Sequence, residues 1–357
     1  MKAVMAIFSL TMSLVGVKSL MGLPDEAIRS EIEYLGVISN ANHSILDLSL
    51  DDGFQFEQMD VNEFTGLISD LEGLPKEVAH GKAKEFRCIN YDEKKVYVIH
   101  NSIVTDSDIP DEDKYPDNPS QEELDDFFEA SDYYQFLSIL GSIQRDCLDD
   151  GVRDLCQKMR LFKEGGVSLQ FSYCYLNRMD KKELLAQSVQ DRGIIDFSNY
   201  IITESEKRDL TDFIRNVVIP FKSGTVQLAL ENFDLSYYTS AHIHGMSLPF
   251  LVLMNGIEAL YNPGFGDLRS RTSRNCAVLL GGSDIEKCRM VSTRMKGLYK
   301  KRALLLSSGN NSLIKEKDVL DLRQYLRESI IGFYKLGLNE SEIRSMLDSK
   351  GYGQTLP

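Results

Sequence analysis

Along residues 45–59, ILDLSLDDGFQFEQM, Leu46, Leu48 and Leu50 alternate with Asp47 and Ser49. Asp52-Gly53 offers a tight turn, and Phe54 and Phe56 resume the alternation. A period of two around an Asp-Gly pair predicts a β-hairpin. The stretch FRCINYDEKKVYVIH predicts a second hairpin. GVSLQFSYCYL predicts a strand with Val167, Leu169, Phe171, Tyr173 and Tyr175 on one face. Between them, residues 106–132 are dense in acids and broken by Pro110, Pro116 and Pro119. That composition reads as a solvated loop or mobile insertion, or alternatively as an acidic flap over a basic site.

After about Thr203 the period changes to 3.6. Thr203 and Glu206 form a capping box ahead of RDLTDFIRNVVI, whose apolar residues recur at helical spacing and which Pro220 ends. TVQLALENFDLSYYT predicts a second helix, and MSLPFLVLMNGIEALYN a third, apolar on nearly all sides and therefore central. LRSRTSRNCAVLLGG closes on Gly281-Gly282, after which Ser283 and Glu286 set a capping box for a long helix from Asp284 to about Ser307. VLDLRQYLRESIIGFYKLG gives a further amphipathic helix, and Asn339 with Glu342 caps a short terminal one. The pattern predicts an α+β protein: a β-containing amino-terminal domain over residues 1–200 and an all-helical domain over 203–357.

Length and composition agree with two domains, since 357 residues exceed the usual ~150 per domain. A formal charge of −14 excludes a surface that attracts nucleic acid everywhere, so such binding needs a local basic patch. The 6 cysteines form no C-x-x-C pair, which points to reduced thiols and a cytoplasmic chain. The run Ala3–Val17 is uncharged but too short to span a membrane. It reads either as a signal-peptide core or as a buried first element. No phosphate-binding glycine loop, nucleophile elbow or zinc helix is present, and no cofactor or metal is expected. His242 and His244 would share a face only on a strand, and no third ligand lies nearby.

Positive charge gathers in one place. Arg269, Arg271, Arg274, Lys287, Arg289, Arg294, Lys296, Lys300, Lys301 and Arg302 face only Asp284 and Glu286 over the same span. Such a concentration is a candidate anion surface or an ordinary solvated helix face. Here SYYTSAHIHGMSLPFLVLMNGIEALYN, LRSRTSRNCAVLLGG and MKGLYKKRALLLSSG together resemble the ApeA-like HEPN family, in order and spacing, over about residues 225–336. The resemblance implies a helical bundle that dimerises, a metal-independent ribonuclease with an R-x(4–6)-H motif, and a setting in bacterial anti-phage defence such as abortive infection. It matches Arg302 to the motif arginine and Tyr299 to the signature tyrosine.

Arginine suits a scissile phosphate, because its planar fork binds oxyanions bidentately and stays charged. The sequence departs from the family at the histidine, where Ser307, Ser308 and Gly309 stand. Serine has no pKa near neutrality and does not shuttle protons as imidazole does. The expected site is therefore Arg302 with Ser307 and Ser308, and an RNA surface of Arg294, Lys296, Tyr299, Lys300, Lys301 and Asn310. Two functions stay open: a ribonuclease or its weakened descendant, and an inactive dimerising module that binds RNA or protein. A scaffold whose amino-terminal domain senses a phage or host component is compatible with either.

Overall fold

The computed structural model describes residues 29–50, 53–85, 88–90, 94–106, 121–178, 181–189, 199–217, 224–238, 245–261, 268–337 and 339–356. The chain is α+β, an antiparallel sheet followed by a mostly helical region. It divides into two compact units: Met1–Cys156 with Val167–Asp191 and Asn199–Arg215, and Gln157–Gly166 with Arg192–Ser198 and Asn216–Pro357. The uncharged run at residues 3–17 and the histidines at 242 and 244 lie outside the described residues.

The first unit is built on six strands: β1 (Arg29–Ser39), β2 (Gln55–Asp60), β3 (Ile89–Asn90), β4 (Lys95–Asp106), β5 (Ser168–Arg178) and β6 (Lys181–Val189). The order is β2-β4-β1-β5-β6, with β3 also on β4. Helices α1 (Val61–Glu72) and α2 (Lys76–Glu85) cover one face. There Phe64, Ile68, Leu71, Ala79 and Ala83 pack on Leu35, Val37, Val96, Val98, Phe171 and Tyr173. Each large apolar side chain buried this way contributes roughly 1.5–3 kcal/mol. Helix α3 (Gln121–Phe162) lies on the other face: Tyr34 donates to Asp149 Oδ1 at 2.8 Å, and Ser138 Oγ to the Leu185 carbonyl at 3.3 Å.

Three local expectations change. The hairpin predicted at residues 46–56 does not form: His43–Ile45 is a 3₁₀ turn, residues 46–50 carry no strand, and β2 pairs with the distant β4, Phe56 opposite Ile99. Alternation marked β2 at Phe56 but not its partner, and at residues 46–50 it corresponds to no strand, because both faces of this sheet are covered and the better apolar surface was non-local. On β5, the register shifts between Val37 and Ile38, so Leu169 joins the face of Ile38 while Phe171, Tyr173 and Tyr175 stay with Leu35 and Val37. One extra residue in a strand turns the side chains beyond it to the opposite face. Finally, residues 121–132 of the acidic insertion are helical, forming the start of α3. The second predicted hairpin is present, Ile89 pairing with Val96.

Helix α4 (Glu204–Asn216) groups with the sheet unit. The Tyr200 amide donates to the Asn40 carbonyl at 2.7 Å, the Ile202 amide to Ser44 Oγ at 3.0 Å, and Lys207 pairs with Asp47 at 2.7 Å. Its predicted cap is in place, Glu206 accepting from the Thr203 amide at 2.8 Å.

The second unit contains α5 (Thr225–Tyr238), α6 (Ser247–Tyr261), α7 (Leu268–Gly281), α8 (Ile285–Ser308), α9 (Glu316–Leu336) and α10 (Glu340–Ser349). α6 is the central helix its sequence predicts, burying Phe250, Leu253, Met254, Ile257 and Leu260. Arg323 of α9 is almost wholly buried, so its charge needs partners. It donates to Ser236 Oγ at 3.1 Å, the Ser236 carbonyl at 2.7 Å and Glu164 at 3.1 Å, and stacks 4.0 Å from the Tyr237 ring centroid. The Asn339–Glu342 capping box is formed in both directions. Cysteines 88, 156, 174, 276 and 288 are buried and in no disulfide, and Cys147 is half-buried. No described helix is long and apolar enough to cross a membrane.

Candidate anion site at the arginine of helix α8

α8 begins one residue later than its sequence suggests. Asp284, not Ser283, is the N-cap, accepting from the Lys287 amide at 3.0 Å. The turn from α7 is tight: a Cβ on Gly281 would lie 2.3 Å from Cys288 Sγ and 2.8 Å from the Cys288 amide nitrogen, so only glycine fits. Gly309, at φ 65°, ends α8 in the left-handed conformation and returns its amide to the Leu305 carbonyl at 2.9 Å.

Between these ends Cys288, Val291, Met295, Leu298 and Leu305 form the buried stripe, spaced three and four residues apart. Arg302 occupies the next slot of the same stripe, four after Leu298 and three before Leu305. Its side chain is therefore carried inward and is only 24% exposed. There it meets Glu258, the sole charged residue of α6, with Nη2 to Oε2 at 3.3 Å. Tyr299, also on the inward face, stands in range of both Glu258 and Thr272 of α7.

The polar atoms of this cluster are incompletely satisfied. Glu258 Oε1, Thr272 Oγ1, Tyr299 OH and Arg302 Nε are each buried and make no hydrogen bond within the chain. Such atoms cost roughly 1–3 kcal/mol apiece and call for an explanation. Burial pushes the Glu258 carboxyl above its usual range, against the opposing pull of Arg302 and Tyr299. Burial likewise raises the Tyr299 hydroxyl.

The remaining expected residues fall elsewhere. Ser307 Oγ and Ser308 Oγ both donate to the Leu304 carbonyl, at 3.2 and 2.6 Å. At ~100° per residue they project about 140° and 120° away from Arg302 around the helix, so the structure does not bring them together with it in one chain. Asn310 caps the following 3₁₀ turn, accepting from the Ser312 amide at 3.1 Å. Arg294 pairs with Asp318 at 2.8 Å and Asp321 at 2.6 Å, and Lys301 with Asp318 at 2.6 Å. Burial would raise Asp318, but hydrogen bonds from Lys301, the Lys315 amide and Arg294 outweigh it and hold this carboxyl low. Those two cations thus serve a structural network, while Lys296 and Lys300 are exposed.

Glu258 and Thr272 were passed over in the sequence. The available signal was a lone acid in an otherwise apolar helix. Among the described residues no cluster of ligands could hold a metal ion. The chain matches no protein-family model, and no curated protein or solved structure matches it either.

Proposed function

We propose that the helical unit is a HEPN-type, RNA-phosphate-binding domain, and the chain a metal-independent endoribonuclease of weakened power acting in bacterial anti-phage defence. The supporting observation is Arg302: a guanidinium on the inward stripe, held by one carboxylate, with Nε unpaired and the side chain still partly open to solvent. A pre-positioned fork of this kind recognises a phosphate at little entropic cost. The weakening stems from Ser308 at the motif position, since loss of a proton-transfer group lowers rates by ~100- to 10,000-fold.

In this reading Lys296 and Lys300 add local positive potential and the protein works in the cytoplasm. Exposed Met290 and Leu304, about 40° apart around α8, would offer apolar contacts to a second copy. The sheet unit would receive a phage or host trigger. Incubating the purified protein with total RNA in chelator and mapping the new 3′ ends tests it. Cyclic-phosphate ends are expected from the parent and are lost in Arg302→Ala; equal cleavage by both rejects the arginine.

A second reading, an RNA- or protein-binding module without turnover, is favoured by the serine hydroxyls being turned onto the Leu304 carbonyl. It predicts salt-sensitive, Arg302-dependent RNA binding and no cyclic-phosphate product.

A further inference from the structure

A site that cleaves RNA without metal needs a group beside the phosphate that accepts the 2′-hydroxyl proton. The motif position at the end of α8 supplies none. Among the described residues, those that share the site with Arg302 are Tyr299 on its own helix, Thr272 of α7 and Glu258 of α6. Of these, only Glu258 is a carboxylate. It reaches Arg302 at 3.3 Å through Oε2, while Oε1 makes no hydrogen bond.

Resting on the ribonuclease reading above, we propose that Glu258 is the proton acceptor of this site, acting on the 2′-hydroxyl of the nucleotide whose phosphate Arg302 holds. When a phosphate takes Arg302, the carboxylate gives up part of its ion pair and becomes free to accept. The 2′-oxygen forms a bond to phosphorus as its proton passes to Glu258. The bond from phosphorus to the 5′-oxygen breaks, and that oxygen takes a proton from water. The products are a 2′,3′-cyclic phosphate and a 5′-hydroxyl, with Glu258 later returning its proton to solvent.

Three features fit this role. Glu258 is the sole charged residue of a buried apolar helix, where a carboxylate with no task is disfavoured. Its burial moves its proton affinity towards neutrality, which suits an acceptor better than an exposed acid. Tyr299 of α8 stands between Glu258 and Thr272 of α7, and neither hydroxyl makes a hydrogen bond within the chain, so both are available to steady the ribose.

The test compares the full-length parent with Glu258→Gln, Glu258→Asp and Arg302→Ala on one RNA oligonucleotide in chelator, reading binding and cyclic-phosphate formation separately. Glu258→Gln is expected to bind within about threefold of the parent and to cleave ~100-fold or more slowly. Glu258→Asp keeps the charge but withdraws it by one methylene, and restores part of the rate. It also serves should the glutamine variant fold poorly. Cleavage by Glu258→Gln at the parental rate, with Arg302→Ala inactive, overturns the acceptor role and leaves the ribonuclease reading standing. Arg302-dependent binding by a parent that forms no cyclic phosphate also overturns it and favours the binding module. Loss of any Arg302 dependence removes the reading on which the proposal rests.

Discussion

Glu33 of the sheet unit and Glu258 of the helical unit are nearly equally enclosed, their side chains 13% and 16% exposed, yet their chemistry runs in opposite directions. Glu33 is met by His100 at 3.4 Å, by the Tyr175 hydroxyl and by Asn177 Nδ2 at 2.5 Å. Hydrogen bonding to His100 foremost, with Tyr175 and Asn177 adding, outweighs burial and brings Glu33 down to about 2. Glu258 has one ion pair and an unpaired oxygen, and burial wins. Enclosure alone therefore does not set a carboxyl's proton affinity; the number of donors aimed at it does. A saturated acid fixes a fold, whereas an unsaturated one keeps capacity for a ligand.

The largest way to disturb this contrast is at the α7–α8 turn that brings Thr272 to Tyr299. Gly281→Ala would press a methyl against the Cys288 backbone, and is expected to cost about 3 kcal/mol in urea unfolding and to weaken RNA binding with it. Next comes Glu33→Gln, which leaves His100, Tyr175 and Asn177 imperfectly paired; a loss of about 2 kcal/mol at pH 7 is expected.

The pH dependence of the two acids sharpens the comparison. Glu33 is depressed, so its contribution is fully present above the ordinary carboxyl value of 4.5 and is lost as pH falls to about 2. Glu258 is raised, so the folded state binds its proton more tightly, and stability declines as pH rises above 4.5. Relative to the parent, Glu33→Gln should lose ground as pH rises from 2 to 4.5, and Glu258→Gln should gain ground above 4.5. Parallel slopes in unfolding free energy against pH would contradict the assignment. The smallest effect is expected at Ser308→Ala, an exposed hydroxyl bonded only near the helix end: less than about 0.5 kcal/mol by thermal melting.

The legible part of the sequence was local. The boxes at Thr203–Glu206 and Asn339–Glu342, the apolar α6 and the extent of α8 come from spacing within a few residues. The part that escaped it was long-range. Phe56 pairs with Ile99, which no alternation within residues 46–56 encodes. Arg294 and Lys301 looked like free cations in a basic run, but Asp318 lies 24 and 17 residues further on and claims both. The inward direction of Arg302 was readable from Leu298 and Leu305 on either side; its encounter with Glu258 required knowing that α6 and α8 meet.

The enclosed thiols offer a handle on how the molecule opens. Alkylation needs a thiolate in contact with reagent, and burial pushes both Cys174 and Cys276 up to about 12. Cys88, Cys156 and Cys174 belong to the sheet unit, Cys276 and Cys288 to the helical one. A pulse of alkylating reagent and then peptide mass analysis would thus time the exposure of each unit separately, in one sample and without an added label.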